Sequence, residues 1–378
     1  MSHAVIAGYA RSPFHFASKG ALARVRPDDM AAQVVRALIN RSGVKPEDIE
    51  DIIVGCAFPE GEQGLNVARL IGLLADLPLS VAGCTVNRFC GSSMQSIHMA
   101  AGQIALGAGD VFICAGIESM SRVPMMGYNP LLNPALMQSR PEAYISMGET
   151  AENVARKWQI PRAEQEAFAV RSHRLAAAAV TAGKLTDEIV PITGKGGTVD
   201  RDGCIRPDTS AEGLAGLKPA FDKDGTVTAG TASPLTDGAA AVLVCSEAYA
   251  ERNGLRPLAR IASIAVAGCA PEVMGIGPVA ATQKALARAG IDIGKIDVVE
   301  LNEAFASQAL ACARELGIRD ETLNLDGGAI ALGHPLGATG ARITGKAASL
   351  LAREGGRYAL ATQCIGGGQG IATILERV

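Results

Sequence analysis

The chain has 378 residues, 48% of them hydrophobic and 19% charged, with a net charge of −3. This length fits two or three domains, and the apolar fraction can fill a large core. Near-balanced charge without a basic run excludes nucleic acid and anionic membranes as expected partners, and only 4% aromatic residues leaves little for base stacking. The N-terminal stretch His3-Ala4-Val5-Ile6-Ala7-Gly8 reads as a strand from the start, without the layout of a signal peptide or Arg-rich leader. No apolar run reaches about 18 residues, so no membrane span is expected. The nine cysteines sit singly, mostly in apolar runs, with no CxxC pair and no Cys/His ligand cluster. Free thiols in a reducing compartment, the cytoplasm, are the natural reading, and no metal site is expected.

In chain order, a helical pattern over Ala31 to Ile39 precedes Gly43 to Phe58, GVKPEDIEDIIVGCAF. A matching pattern over Val279 to Ala287 precedes Gly290 to Phe305, GIDIGKIDVVELNEAF. The two segments align without gaps. The same offset places Val111-Phe112-Ile113-Cys114 against Tyr358-Ala359-Leu360-Ala361, so chance similarity of two α/β segments is the weaker explanation. Each half alternates helices with short β-branched strands, which implies a mostly parallel sheet covered on both faces. Within the first half lies a stretch without a counterpart in the second. It holds Pro-rich loops (Val123 to Pro141), a helix pair (Glu149 to Trp158, Arg162 to Ala182) and a Gly/Asp-rich segment (Gly194 to Asp208). Residues 1–118 with 234–256 are expected to form the first half, 119–233 an inserted domain, and 257–378 the second half.

Four segments put reactive side chains among small residues. Cys90, in NRFCGSSMQ, is read at the end of a short strand, just before a helix over Ser92 to Leu106. A helix N-terminus offers unpaired N–H groups and the positive end of the macrodipole, both of which favour the nucleophilic thiolate. A lone cysteine there could equally be inert core. His334 lies in the glycine-rich turn GGAIALGHPLGATGAR that enters a helix. It can take a thiol proton, donate to a developing oxyanion, or simply cap the turn. Cys364, in TQCIGGGQG, sits at a strand end as a second proton donor and acceptor, followed by N–H groups that could bind an oxyanion. The glycine run has no GxxxxGK[ST] spacing. Asn302, in ELNEAFA, emerges at a strand's C-terminal edge, where α/β sites gather; helix capping is the plainer role for it and Glu303.

Together these segments, in this order on a duplicated chain with an insertion, resemble the thiolase family over essentially the whole chain. The resemblance implies a five-layered αβαβα fold: two βαβαβαββ halves with an inserted loop domain that binds coenzyme A. It implies reversible cleavage of a 3-oxoacyl-CoA by CoA to acetyl-CoA and a shortened acyl-CoA, with ping-pong kinetics through an acyl-Cys90 thioester. His334 would activate Cys90, and Cys364 would move the proton at the acetyl α-carbon. Asn302, through a water, and His334 would form one oxyanion site; the N–H groups of Cys90 and Gly366 would form the other. Ser233, in GTVTAGTAS, would contact pantetheine, with Met147 and Phe305 lining the tunnel. No cofactor is held permanently; CoA is a co-substrate. The resemblance also implies a homodimer or homotetramer, with a β-oxidation enzyme as a candidate partner. Ser146 stands where short-chain biosynthetic members carry His, and GSSMQ follows the nucleophile where they carry SSGL. Both departures lean towards a broad-range degradative role. The alternatives are an acetoacetyl-CoA-forming acetyl-CoA C-acetyltransferase, a decarboxylating 3-oxoacyl synthase, and a catalytically silent CoA- or lipid-binding scaffold. The second thiol, Cys364, argues against the synthase.

Overall fold

The computed structural model describes residues 2–378. Its main elements in chain order are β1 (Ala4–Arg11), α1 (Pro27–Ser42), β2 (Asp51–Cys56), α2 (Val67–Leu74), β3 (Ala82–Val86), α3 (Ser92–Leu106) and β4 (Val111–Ser119). The chain continues through α4 (Met147–Lys157), α5 (Arg162–Thr181), β5 (Thr236–Ser246), β6 (Ala259–Gly268), α6 (Gly277–Ala289), β7 (Val298–Leu301) and α7 (Ala306–Leu316). It ends with α8 (Leu336–Glu354), β8 (Tyr358–Ile365) and β9 (Gln369–Glu376). The repeat extends to the helix ends. α1 stops at Gly43 (φ 73°) and α6 at Gly290 (φ 67°), both left-handed, a conformation that costs any residue with a Cβ. Each helix then releases the chain through a short 3₁₀ turn, Pro46–Asp48 or Ile293–Lys295, into β2 or β7.

Nine strands run in the order β7-β8-β9-β6-β1-β5-β4-β2-β3, and the two-residue strand His15–Phe16 adds a tenth on β5. The halves, β3-β2-β4-β5-β1 and β7-β8-β9-β6, join where Val5 and Ile6 pair with Arg260 and Ala259. The counterpart of β3 in the second half shrinks to one parallel bridge, Val299 to Leu323. The expectation of mostly parallel sheets is corrected: only β2–β3, β2–β4 and β7–β8 are parallel, and the remaining pairs are antiparallel. For the β8–β9 pair the reason is connection length. Parallel neighbours need a long crossover, whereas β8 turns into β9 through Gly366-Gly367-Gly368, with φ of 78° and 83° at the last two.

Three large apolar clusters define the layering. One packs α1 and α2 on the first half-sheet, around Val35, Leu38, Ile71 and Leu243. A central one joins the halves through Met94, Ile97, Phe112, Ile343 and Leu351. A third packs α6 and α7 on the second half-sheet, around Ala285, Val299, Ala309 and Leu360. α3 and α8 are the central layer and touch each other, so the architecture is αβαβα. α8 is buried along nearly its whole length. It carries Arg342, paired with Glu300 at 2.8 Å, and Lys346, paired with Glu188 and Asp326. α4 and α5 lie against the second half, α5 contacting both α7 and the short helix Ala329–Leu332. No helix among the described residues is long and apolar enough to cross a membrane.

Candidate active site

Cys90 does not end a strand. β3 stops at Val86, and Asn87-Arg88-Phe89-Cys90-Gly91 is a turn leading into α3. Phe89 holds φ at 43°, a strained value for an aromatic residue. The strain is held by Asn87 Oδ1, which accepts from Phe89 N at 2.8 Å, and by Ser92 Oγ, which donates to the Phe89 carbonyl at 2.6 Å. Gly91 is required by space, since a Cβ there would meet Ile365 Cδ1 at 2.5 Å. The helix-dipole expectation for the thiol is corrected. Burial pushes Cys90 up to about 12; the N–H groups of Gly366 and Cys90 itself pull the other way, and the Glu118 charge adds to the rise. Loss of hydration is the largest of these effects, although the side chain is only half-buried.

The second half supplies the rest. The Gly366 N–H, in the turn after β8, is near enough to favour the Cys90 thiolate. Cys364, on β8, is buried and lies close enough for a Cys90 thiolate to raise its own thiol further, burial being the larger cause. Gln363 donates from Nε2 to the Cys90 carbonyl at 2.5 Å. Arg88 Nη1 donates to Gln369 Oε1 at 2.9 Å. The nucleophile turn is thus held largely from the other half of the chain.

His334 is buried, and its backbone N–H donates to Thr236 Oγ1 at 3.1 Å. Its ring nitrogens meet Thr339 and Asn302 rather than Cys90. Nδ1 lies 2.6 Å from Thr339 Oγ1, which itself donates to the Pro335 carbonyl. That donation leaves the hydroxyl as acceptor for Nδ1–H and puts the basic lone pair on Nε2. Asn302 Nδ2 stands 3.4 Å from that Nε2. Burial, then the Arg342 charge, lowers His334 to about 3, so the imidazole is neutral near pH 7. Asn302 Oδ1 is buried without a partner among the described residues, which makes it a ready acceptor for a bound water or substrate group. Neither Asn302 nor Glu303 caps α7; Phe305 occupies that position. Leu336, two residues past His334, shares a small apolar cluster with Cys90 and so brings the two segments together.

Met147, Phe305 and Cys364 share another cluster with Ala151, Val227, Ala232, Met274 and Ala304. Ser233 is tied to the same place, donating from both N and Oγ to the Ala304 carbonyl at 3.0 Å. Ser146 caps α4 in a reciprocal capping box with Glu149, which gives it a structural role besides any it has towards substrate.

Several residues that matter here were not singled out from the sequence. Phe221 stacks edge-on against Phe305 at 5.8 Å and lies so close to Gly148 that a Cβ there would overlap its ring. Glu303 accepts from Ser172 Oγ, Asn324 Nδ2 and Ile330 N, which fixes the segment leading to His334. Glu118, Gln363 and Thr339 are the others. All but Thr339, which meets His334 five residues before it, act through contacts distant in sequence, so no local pattern marks them. Among the described residues no group of His, Cys, Asp or Glu is arranged to hold a metal ion.

The chain is similar to known proteins over its whole length. Residues 4–248 match the family described as thiolase, N-terminal domain, and residues 255–377 match thiolase, C-terminal domain. A 3-ketoacyl-CoA thiolase of Bacillus subtilis (strain 168) is 50% identical over 389 aligned residues, covering 100% of both chains. One from Colwellia psychrerythraea is 48% identical over 387, again covering 100% of both. The crystal structure of the Bacillus anthracis acetyl-CoA acetyltransferase superposes with a TM-score of 0.93 at 41% identity, covering 100% of this chain and 99% of that one. Fold and site therefore define an acyltransferase acting on CoA thioesters. The chain belongs to the thiolase family, and its reaction is thiolase-type, CoA-dependent cleavage or condensation of acyl-CoA.

Proposed function

We propose that this chain cleaves 3-oxoacyl-CoA with CoA to acetyl-CoA and a shortened acyl-CoA, in two half-reactions through an acyl-Cys90 thioester. The observation that supports the reading is that Gln363, next to Cys364 and three residues before Gly366, donates from the second half to the Cys90 carbonyl in the first. In the first half-reaction His334 Nε2 takes the Cys90 thiol proton as Sγ attacks the 3-oxo carbon. The carbon–carbon bond breaks, and its electron pair passes into the enolate of acetyl-CoA, which Cys364 protonates at the α-carbon. In the second, the Cys364 thiolate takes the proton of incoming CoA, the CoA sulfur attacks the acyl-Cys90 carbonyl, the Cys90–acyl bond breaks to release the shortened acyl-CoA, and Cys90 Sγ takes its proton back from His334. Negative charge develops on two different thioester oxygens. The N–H groups of Cys90 and Gly366 suit one; Asn302, through a water, and protonated His334 suit the other. Both Cys90 and His334 are neutral at rest, which suits proton transfer during attack rather than a standing thiolate.

CoA would lie along the cluster of Met147, Phe305 and Phe221, with Ser233 at the pantetheine. Residues 119–233 would act as the CoA-binding insertion, between a first half of 1–118 and 234–256 and a second of 257–378. Nine free cysteines favour a reducing, cytoplasmic setting, and the family favours a homodimer or homotetramer. A β-oxidation enzyme is the partner whose product this reaction would consume. The substitution of Ser146 and the GSSMQ sequence favour degradation of varied chain lengths. The test is acetyl-CoA labelling followed by peptide mass spectrometry, then thiolysis rates over a series of 3-oxoacyl-CoA lengths. A folded protein with no acetyl group on Cys90 would falsify the covalent route. Turnover confined to acetoacetyl-CoA would favour the acetyltransferase reading.

A further inference from the structure

The segment carrying His334 is docked against the first half with almost no space between backbones. A Cβ on Gly337 would stand 2.4 Å from the Ile117 carbonyl and 2.8 Å from Cys56 Cα. A Cβ on Gly116 would stand 2.2 Å from the Gly337 carbonyl, and one on Gly340 2.3 Å from Met94 N. At the centre of this contact lies Glu118, the penultimate residue of β4, fully buried and without a cation partner. Its Oε2 accepts from Gly337 N at 2.9 Å and from Ala57 N at 2.8 Å. Its Oε1 accepts from Gln63 Nε2 at 2.5 Å and Phe58 N at 3.3 Å, with the Cys56 thiol 3.8 Å away. Each donor is a neutral group, so the carboxylate is stabilised by directed N–H dipoles alone.

The placement has a chemical side. Gly337 N–H belongs to the first turn of α8, directly after His334, and the Ala57–Phe58 peptide belongs to the apolar cluster that packs against Cys90. One carboxylate therefore holds both sides of the Cys90–His334 approach. Its charge is also near enough to raise the Cys90 thiol, after burial as the larger cause. We propose that Glu118 is a positioning residue of the thiolase site, a buried carboxylate that locks the His334 segment to the nucleophile's half through Gly337 N–H. This rests on the roles assigned above to Cys90 and His334.

Two variants separate reach from charge. Glu118→Gln keeps the size and removes the charge; Glu118→Asp keeps the charge and withdraws the oxygens by one methylene. Both are expected to lower kcat by about 100-fold, as for sub-ångström to ångström misplacement of a catalytic group, with KM for acyl-CoA within roughly 3-fold. Iodoacetamide alkylation of Cys90 at fixed pH is expected to rise roughly 10-fold in Glu118→Gln and to stay near wild type in Glu118→Asp. Wild-type kcat in either folded variant overturns the assignment. So does an equal change in alkylation in both, which would mark general loosening. If Glu118→Gln does not fold, kcat of Glu118→Asp decides. Wild-type protein that takes no acetyl group on Cys90 would instead sink the underlying reading, independently of either variant.

Discussion

Gln363 Nε2 donates to the carbonyl oxygen of Cys90 across 273 residues of sequence. Neighbouring residues of β8 thus serve the nucleophile in different ways: Gln363 holds its peptide, and Cys364 presents a second thiol beside it. The Gln363→Met variant keeps the volume and leaves the Cys90 carbonyl without its donor. Loss of about 1–3 kcal/mol of stability is expected, along with a slower acetyl burst from acetyl-CoA. Denaturant unfolding and stopped-flow acylation check this; unchanged values in both would show that the bond positions nothing.

The Cys364→Ala variant should still accept an acetyl group on Cys90, yet fail in carbon–carbon exchange. The remaining thiol and both oxyanion donors are intact, but the α-carbon has lost its proton donor. A loss of at least about 100-fold in exchange of labelled acetyl-CoA into acetoacetyl-CoA is expected. Exchange at the wild-type rate would remove Cys364 from that step.

Acid sensitivity should come from buried histidines. Burial lowers His98 and His334 to about 3. The unfolded chain binds these protons near the ordinary histidine value while the folded chain does not, so stability is lost as pH falls below that value. Each histidine withdraws roughly 1.4 kcal/mol by pH 5.5. His98 makes a hydrogen bond to Thr373 Oγ1 and has no place in the chemistry, so His98→Gln is the informative variant. Its unfolding free energy should fall less steeply between pH 8 and pH 5.5 than that of the wild type, and an unchanged slope would contradict the assignment.

The pair Arg342–Glu300 should show the opposite dependence. Glu300 is pushed up to about 7 by burial, with Arg342 and then Lys346 holding it down. Because its folded value is raised, its contribution to stability is lost as pH rises from the ordinary carboxylate range through about 7. Arg342→Met removes the counter-ion and raises that value further. A loss of about 3 kcal/mol or more is expected at pH 8, with a smaller loss at pH 5.5, where Glu300 is protonated. Equal losses at both values would mean that packing, not charge, governs the site.

The duplicated design was legible from the ungapped match of Gly43–Phe58 with Gly290–Phe305. The Ser92–Leu106 helix falls on its expected limits, because glycines bracket it and its apolar spacing is regular. Strand direction was not legible: β1, β5, β6 and β9 look like any apolar strand, and only their connections make them antiparallel. The thiol at Cys90 was misjudged for a related reason. A helix N-terminus can be seen in a sequence, but the depth at which it is buried cannot. Glu118 and Gln363 escaped notice because their partners lie 219 and 273 residues away.

The position of β1 has a consequence for synthesis. This strand is flanked only by β5 and β6, at Thr236–Ser246 and Ala259–Gly268. A ribosome adding roughly 5–20 residues per second reaches those partners on the order of 10–50 s after β1 has been made. During that interval an almost wholly apolar strand has no native neighbour on either edge. The seam that unites the two halves therefore cannot zip until β6 has been made. Crowded translation, rather than heat, is the condition under which this enzyme should most depend on chaperones.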